Sequence, residues 1–224
     1  MKGIFDMTTR LKILPEEKKD PSKIETCSCL DKSAYTRKLF TKKECKEIIE
    51  MSKSWEEFEA KVQTKNKEEE TVVNDDYRNC SIYAPPVNDQ PSWLWIGEKI
   101  SKAIYSFNSK DGWKFHLLGM AERPMMMKYE QGGPLHAGGK YDWHIDLGPS
   151  KVASSRKLGF SLFLNDDYEG GEFQIKTGRE NFTPPDQKVG DLLFFPAYLV
   201  HRVTLVTKGT RYAIVGWLHG NSFV

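Results

Sequence analysis

The chain has 224 residues, enough for one domain of ordinary to large size. Its 33 basic and 31 acidic residues leave a formal net charge of +2, too little for the electrostatic footprint of a DNA- or RNA-binding domain. No apolar run approaches membrane-spanning length, and the N-terminal MKGIFDMTTRLKILPEEKKD lacks the apolar block of a secretory signal. A soluble, cytoplasmic protein with no membrane or nucleic-acid partner is expected. Cys27, Cys29, Cys45 and Cys80 read as free thiols in a reducing compartment. Cys27-Ser-Cys29 is too tight for zinc-type CxxC spacing, and no second pair completes a site. Nothing in the sequence sets an oligomeric state.

Residues 1–34 are charged and weakly periodic, and read as an N-terminal extension to a domain over residues 35–224. Thr41-Lys-Lys-Glu44 is a capping box. Cys45, Ile48, Ile49, Trp55 and Phe58 follow at near-helical spacing, which predicts a helix over 42–62. The run KNKEEE at 65–70 reads as a solvated connection. Pro91 opens a second helix with the stripe Ile96, Ile100, Ile104 and Phe107, stopped over 108–112. Strands are predicted next, over 114–119, 124–130, 141–146, 157–164, 172–177, 190–195, 201–206 and 211–218, many separated by Gly or Pro. LGFSLFLN and RYAIVGWL are almost continuously apolar, so these strands should be buried on both faces. Two helices followed by about eight strands predict a mainly β fold with flanking helices. The expected architecture is an antiparallel sandwich or jelly roll whose N-terminal helices pack on one sheet.

The segment YDWHIDLGPS, residues 141–150, places His144 and Asp146 two apart in a strand-like stretch. Strict alternation points Asp142, His144 and Asp146 to one face and Tyr141, Trp143 and Ile145 to the other. Alone the motif is weak: a chain with 5 His and 13 Asp meets His-x-Asp about 0.3 times by chance. The C-terminal third adds His201 in another strand-like stretch and Arg211 ten residues later, with a Lys208-Gly209 turn between them that suggests a hairpin. Two ligands from one strand and a histidine from a distant one make the two-histidine, one-carboxylate triad that leaves positions on Fe(II) open. Arginine suits a carboxylate because its planar fork bonds both oxygens and stays charged when buried. Each residue also has an ordinary structural explanation: a wet strand face, a satisfied core histidine, a surface ion pair. Trp143 and Trp217 read as packing residues. His136 sits in the loop QGGPLHAGGK, which fails as a phosphate-binding loop because residue 134 is proline and Tyr141 stands where Ser or Thr is needed.

His144-x-Asp146, then RKLGFSLFLNDDYEGGEF, then GDLLFFP with His201 and Gly-Thr-Arg211, resembles the Fe(II)- and 2-oxoglutarate-dependent dioxygenases. Within them the chain is most similar to the prolyl 4-hydroxylase group, in particular the PKHD-type hydroxylases and the hypoxia-inducible-factor prolyl hydroxylases. The resemblance spans about Phe40 to Trp217 and lies in the order and spacing of the parts. It implies a double-stranded β-helix, the cupin-like jelly-roll core. It implies Fe(II) held by His144, Asp146 and His201, with Arg211 binding the far carboxylate of 2-oxoglutarate and Tyr129 hydrogen-bonding the same group. It further implies O2 as co-substrate, ascorbate as a candidate accessory, and a C–H hydroxylation that releases succinate and CO2. Collagen-type prolyl hydroxylases carry lysine where Arg211 stands, and the Arg-x-Ser of some branches is here Arg211-Tyr-Ala213. A proline-containing peptide or protein is the expected substrate, with Tyr83, Trp95 and the 131–140 and 147–156 loops as its surroundings. The alternatives are a same-fold dioxygenase acting on a free amino acid, another metabolite or a nucleic-acid base, and a non-catalytic jelly-roll binding module.

Overall fold

The computed structural model describes residues 34–58, 60–63, 71–110, 112–134, 137–177, 180–184 and 187–221. The first thirty-three residues, the whole 65–70 connection, and His136 therefore lie outside the described residues. In chain order the elements are β1 (Tyr35–Lys38), α1 (Lys42–Ser52), β2 (Glu56–Phe58), β3 (Lys61–Gln63), β4 (Thr71–Val73), β5 (Arg78–Asn79), β6 (Ser81–Ala84), α2 (Gln90–Lys110), β7 (Leu117–Gly119) and β8 (Met125–Glu130). There follow β9 (Lys140–His144), β10 (Arg156–Phe163), β11 (Glu169–Gly170), β12 (Phe173–Thr177), β13 (Glu180–Phe182), β14 (Asp191–Pro196), β15 (His201–Val203), β16 (Val206–Lys208) and β17 (Thr210–Gly220).

The major sheet runs β1-β14-β10-β17-β8-β6-β2, with β7 also on β17, and the minor sheet runs β13-β12-β15-β9-β5. All the paired strands are antiparallel. The major sheet is buried on both faces, and the pleat decides which residue goes where. Leu192 and Phe194 of β14, with Leu158, Phe160 and Leu162 of β10, pack against Ile48 of α1 and Ile96, Ile100 and Ile104 of α2. Leu193 and Phe195 face the other way, with Met127 and Tyr129 of β8, and meet Phe173, Ile175 and Val203 of the minor sheet. The outcome is the jelly roll expected of the sequence, with both helices on the outer face of one sheet. The near-continuous apolar runs in β10, β14 and β17 follow from that double burial.

Thr41 caps α1 as its sequence predicts: the Glu44 amide donates to Thr41 Oγ1 at 3.2 Å, and the Thr41 amide donates to the Glu44 carboxylate at 2.8 Å. The helix ends at Ser52, ten residues short of the expected 62. Ser52 and Ser54 hydroxyls bond the carbonyls of Ile49 and Met51, and a turn brings Trp55 back into the core. The apolar residues at 55 and 58 thus belong to a buried turn and to strand β2, which pairs with β6. Among the described residues, Cys45 and Cys80 are both free, and no helix is long and apolar enough to cross a membrane.

The expected hairpin between the strands of His201 and Arg211 does not form. β15 pairs with β12 and β9 in the minor sheet, whereas β17 pairs with β10 and β8 in the major sheet. Gly209, at φ +75°, takes the left-handed conformation in the turn that carries the chain across. His201 and Arg211 therefore belong to opposite sheets and meet through the space between them.

Candidate active site

Between the two sheets lies a cavity of about 230 Å³, lined by His144, Asp146, His201, Arg211 and Tyr129 among others. Strand β9 ends at His144, so Asp146 stands just beyond the sheet; its amide donates to the Ala197 carbonyl at 3.0 Å. Across β9 and β15, His144 faces His201 and Tyr141 faces Val203, so four residues of β9 span the same length as three of β15. This bulge breaks the strict alternation expected of the segment. Tyr141 turns to the same side as His144, and their rings stack at 3.5 Å between centroids and 14° between planes.

His144, Asp146 and His201 are the group of histidine, cysteine and acidic residues, among the described residues, that could hold a metal ion. One ligand atom from each lies within 4.8 Å of the others. Asp146 Oδ1 is 3.9 Å from His144 Nε2 and 3.7 Å from His201 Nε2. The imidazoles are prepared for this in the same way. His144 Nδ1 bonds the Asp142 carbonyl at 2.7 Å, and His201 Nδ1 bonds the Leu199 carbonyl at 2.9 Å. A carbonyl can only accept, so the hydrogen sits on Nδ1 and the Nε2 lone pair turns toward Asp146. Burial, the neighbouring His201 and the Arg78 cation hold His144 well below the usual histidine range, so its ring is neutral at physiological pH. Two imidazoles and one carboxylate on one side of a cavity form a donor set that suits Fe(II) with open positions.

Arg211 is 1% exposed, and its Nε, Nη1 and Nη2 are buried with no hydrogen-bond partner. Its guanidinium lies 5.2 Å from the ring centroids of Tyr129 and Phe163, and Arg211 pairs with Tyr129 across β17 and β8. A buried cation with an unbonded fork is costly unless an anion completes it. Tyr129 is 2% exposed, and burial pushes its phenol far above the usual range, so it stays a protonated donor. Burial likewise takes Tyr141 up to about 12, against the lowering influence of Arg78.

Among the further lining residues, Arg78, Tyr141 and Trp217 escaped sequence reasoning, whereas Arg156 ends the 147–156 loop expected near the substrate. Trp217 had a signal, since it lies six residues after Arg211 on one strand, an even spacing that shares a face, and Val215 between them also lines the cavity. It walls the site, contrary to the expected packing role. Tyr141 was hidden by the bulge. Arg78, on the two-residue β5, stacks on Tyr141 at 4.5 Å. Trp95 packs on Phe40 and the Tyr83 hydroxyl donates to Glu57, and neither lines the cavity. The remaining histidines of the described part, His116 and His219, lie outside it.

Residues 125–219 match the sequence model of the 2OG-Fe(II) oxygenase superfamily, and this segment contains all five residues singled out for iron and co-substrate. A PKHD-type hydroxylase of Synechococcus sp. (strain CC9605) is 39% identical over 84 residues, which cover 37% of this chain and 37% of that protein. The PKHD-type hydroxylase PiuC of Pseudomonas aeruginosa is 37% identical over 138 residues, 58% of this chain and 56% of that protein. The chain thus spans between about a third and just over half of these relatives' length in the matched regions. Among solved structures, a Trichoplax adhaerens prolyl hydroxylase in complex with a hypoxia-inducible-factor peptide fragment superimposes with a TM-score of 0.66. That match covers 85% of this chain and 86% of that one at 16% identity. The resemblance to 2OG-Fe(II) oxygenases therefore holds in sequence over the site-bearing segment, and the fold is shared over most of the chain with a prolyl hydroxylase.

Proposed function

We propose that the protein is a 2-oxoglutarate-dependent dioxygenase that hydroxylates a C–H bond, with a prolyl residue of a peptide as its substrate. The observation that carries this reading is the buried, unpartnered guanidinium of Arg211, facing the same cavity as the His144, Asp146 and His201 cluster. A metal at the three ligands and a cation beyond them suit a small dianion that chelates with one end and ion-pairs with the other, as 2-oxoglutarate does. Iron bound at the triad supplies the redox chemistry, by which 2-oxoglutarate, O2 and a C–H bond become succinate, CO2 and an alcohol.

The chain's own residues prepare that chemistry. The carbonyls of Asp142 and Leu199 fix both imidazole tautomers, and burial keeps His144 neutral. Arg211 bonds the far carboxylate with its fork, and the Tyr129 phenol donates to the same group. Ile82, Met127, Phe173, Phe195 and Val203 line the cavity and exclude water from it. Ile145, beside the ligands and 48% exposed, and Trp217 offer apolar surface where a prolyl ring can rest. The domain over 35–224 is proposed as the catalytic unit.

The test is a turnover screen of the full chain with Fe(II), 2-oxoglutarate and O2, reading succinate and a one-oxygen mass gain on prolyl peptides, free amino acids and alkylated oligonucleotides. Hydroxylation confined to prolyl peptides is expected. Hydroxylation of a free amino acid or a base instead would sink the substrate assignment. A chain that forms no succinate under any condition would sink the dioxygenase reading and favour a binding module.

A further inference from the structure

Asp146 differs from the two histidines in how it is held. His144 and His201 stand on paired strands, whereas Asp146 lies beyond the end of β9 and has no ladder partner there. Two contacts fix its backbone. Its amide donates to Ala197, and its carbonyl accepts from Arg156 Nη1 at 3.1 Å. Arg156 opens β10 at the far end of the loop that Asp146 begins, so this bond clasps the two ends of the loop together.

Arg156 is itself held by Glu122 and Trp217, and Glu122 in turn meets His219. Glu122 takes its fork in a bidentate pair, with Nε donating to Oε2 at 2.7 Å and Nη2 to Oε1 at 2.5 Å. The guanidinium lies 3.5 Å from the centroid of the Trp217 ring. His219 Nε2 is 3.2 Å from Glu122 Oε2, and His219 Nδ1 bonds Ser155 Oγ at 2.9 Å. With Nε and Nη2 each giving a hydrogen to Glu122, the plane and azimuth of the guanidinium are fixed, and in that setting Nη1 donates to the Asp146 carbonyl. The fixed geometry of the guanidinium thus carries the position of Glu122 to the backbone of Asp146.

We propose that Arg156 is a positioning residue for the metal centre: locked by Glu122, it holds the Asp146 backbone so that the carboxylate meets His144 and His201. This inference rests on the proposed reading of the triad as a metal site. Arg156 touches no ligand atom, and its effect is exerted through the main chain. A lysine cannot replace it, because one ammonium cannot grip the Glu122 carboxylate in two places and reach the Asp146 carbonyl in a third direction.

The experiment is calorimetric titration of Mn(II), a probe that does not oxidise during the measurement, into the full chain and into Arg156→Met, Arg156→Lys, Glu122→Gln and His144→Ala, with circular dichroism and melting curves on each. Loss of a group that orients a metal ligand weakens metal binding by about 10–100-fold. Arg156→Met, which keeps an apolar stem over Trp217, is expected in that range. Arg156→Lys is expected to be weakened about tenfold, and Glu122→Gln less, since its amide oxygen still accepts one bond from the fork. Lower melting temperatures with unchanged Mn(II) affinity in the Arg156 variants would show a purely structural role and overturn the inference. Should Arg156→Met fail to fold, the lysine and Glu122 variants decide by the same criterion. If the parent bound Mn(II), His144→Ala lost it and the Arg156 variants kept it, this inference alone would fall. If the parent bound none, or His144→Ala bound equally well, the metal-site reading would fall with it.

Discussion

Replacing Arg211 by methionine separates two roles that a buried arginine can have. A structural arginine is bonded in the resting protein, and its removal unfolds the surroundings. Arg211 has none of its three guanidinium nitrogens bonded to the protein, so the substitution removes no internal hydrogen bond. The unbonded fork costs about 1–3 kcal/mol of stability. The contacts with Tyr129 and Phe163 offset part of that cost. The ligand-free variant is therefore expected to melt within a few degrees of the parent, at about 2–4 °C per kcal/mol for a domain of this size. Binding should behave in the opposite way. Each hydrogen bond to a charged group contributes about 1.5–3 kcal/mol, so losing a two-bonded fork costs at least about 3 kcal/mol, or about a hundredfold in 2-oxoglutarate affinity. The assay is thermal unfolding of metal-loaded protein with and without 2-oxoglutarate. At a hundred times the parent's Kd the parent gains about 2.7 kcal/mol, and the variant at that concentration should gain almost none. A variant that melts far below the parent without ligand, yet is stabilised by 2-oxoglutarate as much as the parent, would refute the reasoning.

Three further outcomes are expected. A Cβ on Gly159 would stand 2.5 Å from Asp146 Oδ2 and 2.9 Å from the Phe195 ring, so Gly159→Ala should displace the carboxylate and weaken Mn(II) binding at least about tenfold by calorimetry; unchanged affinity would show that the site has room to give. His144 is held neutral in the fold but takes up a proton on unfolding below its ordinary value of 6.5. The unfolded state then binds more protons, so stability of the metal-free chain should fall as pH drops below 6.5, by up to about 1.4 kcal/mol per pH unit from this group. Urea unfolding at pH 7.5 and 5.5 should show a shallower decline in His144→Gln, and equal slopes would contradict the assignment. Thr41→Ala removes the hydroxyl that caps α1 and should cost about 1 kcal/mol; an unchanged melting temperature would show that packing alone holds that helix end.

The sequence made legible whatever depends on local period or on chemical type. The capping box at Thr41 and the stripe from Ile96 to Phe107 lie where their spacing puts them. Runs such as LGFSLFLN were rightly read as strands buried on both faces. The cluster of His144, Asp146 and His201 came from the order of residue types along the chain, and Tyr129 and Arg211 prove to line the same cavity. What could not be read depends on pairing between distant strands. Nothing local marks the bulge that puts Tyr141 beside His144, because it is defined only against β15. The Lys208-Gly209 turn has the composition of a hairpin but serves a crossing between sheets, and only the partners of β15 and β17 distinguish the two. Trp55 and Phe58 continue a helical spacing past Ser52, where the hydroxyls of Ser52 and Ser54 compete for the carbonyls that would extend the helix. Arg78 reaches the cavity from a strand of two residues, too short to carry any period.

The most direct test of the central claim is calorimetric titration of 2-oxoglutarate into anaerobic, Fe(II)-loaded protein, with iron-free protein and the His144→Ala variant alongside. Strong binding that requires iron and disappears in the variant is the predicted result, since the triad and Arg211 would then be holding opposite ends of one molecule. Absence of binding in all three samples, or binding indifferent to iron and to His144, would contradict it and leave the cluster as two satisfied histidines and a carboxylate in an ordinary jelly roll.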